Sequence, residues 1–242
     1  MKWSRNKNSQ LLKATERYKP FKKMKIKKIL LLLSIATLFH NCQSQSQCPE
    51  GINLLPMYGQ KEKCQEQLDD DKEFLAEMDK NFKSRQESSK ALSSKGWEYF
   101  YRNDFETAMK RFNQAWLLDN NNYEAYWGFA NIRGKQNQLE EARNLFDLAK
   151  KLNPTNANFF ISSASTYGGL YNQKKDIALL NSMRADLQRA NQLDPNNPQV
   201  YAELAAVHFY LNDKTKALEY LKKAEHLDPS VINPNLKKAL TK

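Results

Sequence analysis

Three cysteines, Cys42, Cys48 and Cys64, are the residues of this chain best equipped for covalent chemistry. Cys48 and Cys64 bracket "CPEGINLLPMYGQKEKC", which holds Pro49, Gly51, Pro56 and Gly59 and has no hydrophobic periodicity. Two thiols do not complete a tetrahedral zinc site, and the histidines that follow, His208 and His226, are far away in sequence. In an oxidising compartment the natural use of such a pair is a disulfide. Closing a loop of roughly 16 residues, it would contribute about 3 kcal/mol in the chain-entropy model; two inert free thiols are the alternative. The run Asp69, Asp70, Asp71 is rich enough in oxygen to hold a cation, but acids early in a helix more commonly complement its dipole. His208 and His226 read as structural, the second near a helix end where it suits exposed carbonyls. There is no glycine-rich phosphate loop, no HExxH and no nucleophile with a recognisable partner pattern. Nothing argues for an enzyme, and no metal or other cofactor is implied.

The compartment is read from the segment before Cys42. Ile29 to Phe39 is 11 apolar-rich residues, about 16 Å as a helix, against about 30 Å of bilayer hydrocarbon. It is too short to span. A basic stretch followed by a short apolar one is the secretory pattern, so residues 1–41 read as a signal peptide. Met24 opens its compact version, "MKIKKILLLLSIATLFHNC", which makes 1–23 an upstream extension. Ending at Cys42, the segment resembles a bacterial lipoprotein signal, in which the terminal cysteine is diacylated and becomes the membrane anchor. Phe39, His40 and Asn41 depart from the leucine and small residues of that motif, and ordinary cleavage to a soluble product is the alternative. Gln43 is not the aspartate that retains some such proteins at the inner membrane, so the expected location is the outer membrane, facing the periplasm.

Setting the leader aside changes the charge argument. Residues 1–41 hold 11 of the 38 Lys/Arg and one of the 27 acids, so 27 basic and 26 acidic residues remain. The pI of 9.4 would suggest nucleic acid or an anionic surface, but that signal lies in the leader. No nucleic-acid partner is expected.

What remains must position its chemistry on repeated elements. Written above one another, "DFETAMKRFNQAWLLDNN", "QLEEARNLFDLAKKLNPT" and "DKTKALEYLKKAEHLDPS" align Ala108, Ala142 and Ala217, then Phe112, Phe146 and Leu221, then Ala115, Ala149 and Ala224. Upstream, Gly96, Ala130, Ala164 and Ala205 align. The interval from Ala108 to Ala142 is 34 residues, as is that from Pro195 to Pro229. This pattern resembles the tetratricopeptide repeat, in which small residues let two helices approach and a proline closes the second. The fold expected is therefore all-α: a solenoid over 89–231, with repeats at about 89–122, 123–156, 157–197 and 198–231. Ahead of it, 42–64 reads as an anchor linker and disulfide loop. Residues 65–88 read as an amphipathic helix, with Leu68, Leu75, Met78 and Phe82 on an apolar stripe. Residues 232–242, with Asn233, Pro234, Leu236 and Leu240, read as a capping helix. Pro154 to Pro195 is 41 residues, so repeat three carries seven extra, most simply in its second helix, otherwise in a long inter-helix loop. The alanine expected early in that second helix has no clear counterpart.

The resemblance also implies a site. In this family the first helix of each repeat, helix A, lines a concave groove that takes a segment of a partner. Carried over, the groove positions are Trp97, Phe100 and Tyr101, then Trp127, Asn131 and Lys135, then Ile161 and Ser165, then Phe209 and Tyr210. The lining is aromatic rather than basic; burial of several of these aromatics, by the N-terminal helix or between repeats, is the alternative. The chaperone-binding branch clamps a C-terminal carboxylate with basic residues and asparagine, whereas Ser93 and Trp97 stand at two of those positions here. The function expected is a non-enzymatic scaffold, lipid-anchored in the bacterial envelope and holding another envelope protein. A glycan-binding lipoprotein that stacks sugars on exposed aromatics is the alternative.

Overall fold

The computed structural model describes residues 48–152 and 154–241; the expected signal peptide 1–41 and Cys42 lie outside them. Among the described residues there are ten α-helices and no strand. They are α1 (Gln65–Asn81), α2 (Arg85–Tyr101), α3 (Phe105–Leu118), α4 (Tyr123–Lys135), α5 (Leu139–Lys150), α6 (Ala157–Lys174), α7 (Ile177–Leu193), α8 (Pro198–Tyr210), α9 (Lys214–Leu227) and α10 (Pro234–Thr241). Helices α2 to α9 form four successive A/B hairpins, each stacked on the next. The expected all-α solenoid is what the chain builds.

Local chemistry sets the helix ends. Ser84, Asp104, Asn122, Asn156, Asp176, Asn197 and Asp213 each accept a hydrogen bond from a first-turn backbone N–H, and such a cap contributes about 1 kcal/mol. The tight A-to-B turns need a residue in the left-handed region. Repeats one, two and four place Asn103, Asn137 and Asn212 there, with φ of 61°, 60° and 59°. Asparagine tolerates that conformation better than most residues. Repeat three uses Lys175, φ 57°.

The aligned small residues do what close packing requires. Ala108, Ala142, Ala217, Ala115, Ala149 and Ala224 are all fully buried. The Phe112 ring is wedged between α2 and α4. A Cβ on Gly96 would come within 2.6 Å of that ring, and one on Gly128 within 2.3 Å.

Repeat three divides its extra residues between both helices, which corrects the expectation of a longer second helix alone. Helix α6 has 18 residues against 13 in α8, and α7 has 17 against 14 in α9. Adding close to a turn to each arm lets the hairpin grow while its buried faces stay in phase. The missing alanine also finds an explanation. Met183 precedes Ala190 by the seven residues that separate Ala108 from Ala115. Opposite it, on α6, stands Gly168, whose Cβ would lie only 3.3 Å from the Met183 sulfur. The small residue has moved to the other helix of the pair. A polar joint ties this hairpin to repeat two: Lys150 Nζ lies 2.7 Å from Asp186 Oδ2, to which Ser163 Oγ also donates at 2.6 Å. Tyr167 OH donates to Asp147 at 2.7 Å.

The N-terminal part departs from expectation. The helix expected over 65–88 ends at Asn81, and Phe82 and Ser84 are extended. Ser84 Oγ accepts from Glu87 N while the Glu87 carboxylate reaches back to Lys83 N. This reciprocal cap starts α2 at Arg85, four residues ahead of the expected repeat. Helix α1 buries no residue. Of its expected apolar stripe, Leu68 is 41% exposed, while Leu75, Met78 and Phe82 are half-buried.

The loop ahead of α1 is more than a linker. Cys48 and Cys64 are joined by a disulfide, their Cα atoms 5.1 Å apart. Asn113, fully buried on α3, accepts from Tyr58 N and donates to the carbonyls of Asn53 and Leu55. These bonds hold a turn in which Met57, Tyr58, Gly59 and Gln60 are all left-handed.

Candidate partner-binding groove

The A helices α4, α6 and α8 enclose a depression of about 420 Å³. Asn131, Lys135, Ile161 and Ser165, four of the residues expected to line the groove, meet in it. Asn131 is held in place by its own amide, which donates to the Trp127 carbonyl at 2.9 Å. Residues that sequence reasoning missed complete the wall, chiefly Ser162, Thr166, Gln199 and Glu203. The surface is therefore rich in hydroxyl and amide groups rather than aromatic. A second depression of about 230 Å³ lies between α8 and the capping helix, lined by Ala202, Ala206, Tyr210 and Leu236. Gln199 and Glu203 line both.

The expected aromatics separate into two groups. Tyr101 and Tyr210 are exposed, at 75% and 51%. Phe100 and Trp127 are only 8% exposed and belong to the core cluster, which corrects their placement in the groove lining. The cause is aromatic packing. Trp97, itself half-buried, sets its ring 4.6 Å from Trp127, 5.2 Å from Phe112 and 5.4 Å from Phe100, each edge-to-face. Such contacts add to the area buried. Tyr101 stacks on the outer side of Trp97 at 6.0 Å. Phe209 is half-buried and packs on the cluster formed by α8, α9 and α10. Ser93, at a clamp position of the chaperone-binding branch, is buried and accepts from Asn122 at 3.0 Å.

Glu203 is the electrostatic feature of the groove. Its Oε1 accepts from Gln199 Nε2 at 2.9 Å, while Oε2 is shut from solvent without a donor. Burial pushes its pKa upward, and the Gln199 bond offsets only part of that. The signal in the sequence was one position away: Glu203 follows Ala202 on the i, i+4 row that carries Asn131 and Ser165 in the preceding repeats. His208 is buried, with Nδ1 3.2 Å from the Asp213 carboxylate that also caps α9, which is a structural placement. Asp69 and Asp71 are paired with Lys72 and Lys63. No group of three or more His, Cys, Asp or Glu suited to a metal occurs among the described residues.

Residues 99–160 and 198–231 match family models of the tetratricopeptide repeat. The chain carries tetratricopeptide repeats. Among curated proteins, "Interferon-induced protein with tetratricopeptide repeats 2" of Mus musculus is 26% identical over 157 residues, covering 59% of this chain and 32% of that protein. The chain thus spans about a third of the length of the curated relative it matches. Among solved structures, pilF of Pseudomonas aeruginosa superposes with a TM-score of 0.52 at 23% identity, covering 63% of this chain and 65% of that one. MamA of Desulfovibrio magneticus RS-1 gives 0.47 at 20% identity, covering 59% and 76%. These structural likenesses concern the repeat fold alone.

Proposed function

We propose that this protein is a non-enzymatic scaffold that holds a segment of a partner polypeptide along the A-helix groove of repeats two to four, while lipid on Cys42 anchors it in a bacterial envelope. The observation that carries the reading is the depression in which three successive tetratricopeptide A helices present hydrogen-bonding side chains. Its walls are fixed by a capped and packed scaffold, so little order has to be created on binding. The partner is another envelope protein, and the outer membrane's periplasmic face is the proposed location. The glycan alternative would rest on Tyr101 and Tyr210, since none of Trp97, Trp116 and Trp127 is exposed and sugar stacking needs an open aromatic face.

Two variants test the two halves of the proposal. Ser165→Trp fills the groove from an exposed position, and it should abolish stoichiometric capture of the partner from detergent-solubilised envelopes while helical content is unchanged. Unaltered capture would contradict the groove. Cys42→Ser should leave the membrane pellet, because two acyl chains anchor a protein where one myristoyl chain binds only marginally. If it stays in the pellet, the anchor is wrong.

A further inference from the structure

Glu203 stands between the two depressions of the groove, on the face of α8 that receives the proposed partner segment. Gln199 satisfies one of its oxygens, and the other has neither a hydrogen-bond donor nor access to solvent. Buried acceptors in folded proteins are ordinarily paired, and a carboxylate left so costs more than a neutral group. The residues around it explain why nothing in the chain supplies the donor. Its neighbours on the row, Ala202 and Ala206, are too short to carry one, and Ile161 across the gap is apolar. Lys135, the basic residue of the same depression, is exposed and forms no ion pair with Glu203. Glu203 itself lines both depressions, so a rotation of its side chain would bring Oε2 to a donor that enters there.

Building on the groove reading above, we infer that the partner segment carries a lysine or arginine that enters between α6 and α8 and pairs with the Glu203 carboxylate, which turns toward the depression it lines to meet it. This polarity is opposite to a groove that clamps a carboxylate. A neutral donor would satisfy the bond but leave a desolvated carboxylate without a counter-charge, whereas a basic side chain supplies both. Its aliphatic stem fits against Ile161, Ala202 and Ala206, as long cationic side chains do on apolar surface.

The test uses phage-displayed random linear dodecapeptides selected on the immobilised full-length chain, in parallel with its Glu203→Gln and Ser165→Trp variants. Selection on the unaltered protein should enrich a basic residue at one fixed position. Glu203→Gln should still select groove peptides but lose that preference. Replacing the enriched lysine with norleucine in a selected peptide should weaken binding about tenfold to the unaltered protein and hardly at all to Glu203→Gln. Peptides that Ser165→Trp excludes but that show no basic position, or a preference that survives Glu203→Gln, overturn this inference and leave the groove standing. Peptides that bind Ser165→Trp equally well, or no selected peptide at all, overturn the groove reading and this inference with it.

Discussion

Gly128 lies against the ring of Phe112, and the fit decides how closely α2, α3 and α4 stack. Its substitution by alanine would place a Cβ 2.3–2.4 Å from ring atoms of a fully buried phenylalanine. The ring cannot retreat, because Gly96 holds it on the other side as closely. Gly128→Ala should destabilise the fold by about 3 kcal/mol, as overpacking does, measured by urea denaturation. Lys175 offers the opposite case. Asparagine occupies the matching left-handed position in the other three repeats, so Lys175→Asn should raise stability by about 0.5 kcal/mol. A drop would mean that the turn of repeat three depends on the lysine itself. At this scale the alignment of alanines and glycines was enough to find the packing positions, since close approach admits few residue types. It was not enough to tell groove from core. Trp127 falls on the groove row, and the rings of Trp97, 4.6 Å away, and Phe159, 6.0 Å away, turn it inward. Those contacts join neighbouring repeats and leave no trace in any one repeat's own pattern. Glu203 was missed for the converse reason, since its neighbours on the row are two featureless alanines.

Between hairpins, the polar joint at Lys150 and Asp186 offers a test of its own. Asp186 is buried, and desolvation raises its carboxyl above the usual range although Lys150 and Ser163 pull it down. Removing the cation by Lys150→Met leaves the charge unpaired and should cost about 3 kcal/mol at neutral pH. The sign of the pH dependence follows. A carboxyl whose folded pKa is raised binds its proton more readily in the native state, so stability falls as pH rises through the window between the unfolded and folded values. The Lys150→Met deficit should therefore shrink as pH is lowered through that window and Asp186 takes a proton, and thermal melts at acidic and at neutral pH would show it. A deficit that is constant with pH would assign the loss to packing. The extra seven residues of repeat three were countable in the sequence, but their division was not. Each helix of a hairpin has to lengthen for the pair to remain packed, and a period count cannot assign residues to either arm. The capping pair Ser84 and Glu87, which marks the true start of the first hairpin, was passed over when one helix was read through 65–88.

For the whole molecule, the disulfide and the groove are the features on which the proposed reading, an exported binding protein, rests. Cys48 and Cys64 should alkylate in denatured protein only after reduction, as read by mass spectrometry of their peptides. Free thiols in unreduced protein from the envelope would remove the loop's covalent closure, worth about 3 kcal/mol by chain entropy. The repeat spacing made the solenoid readable because a stacked array repeats one packing problem. The groove's chemistry resists such reading because it is assembled from side chains of three hairpins that differ at the positions that face the partner. The most direct measurement places a photo-activatable cross-linking residue at position 165, in the groove, and in a second protein at position 144, on the exposed side of the B helix α5. Irradiation of envelopes should join one partner polypeptide in stoichiometric amount to position 165 and none to position 144. Cross-linking at 144 with none at 165 would contradict the groove and move the partner to the B-helix face.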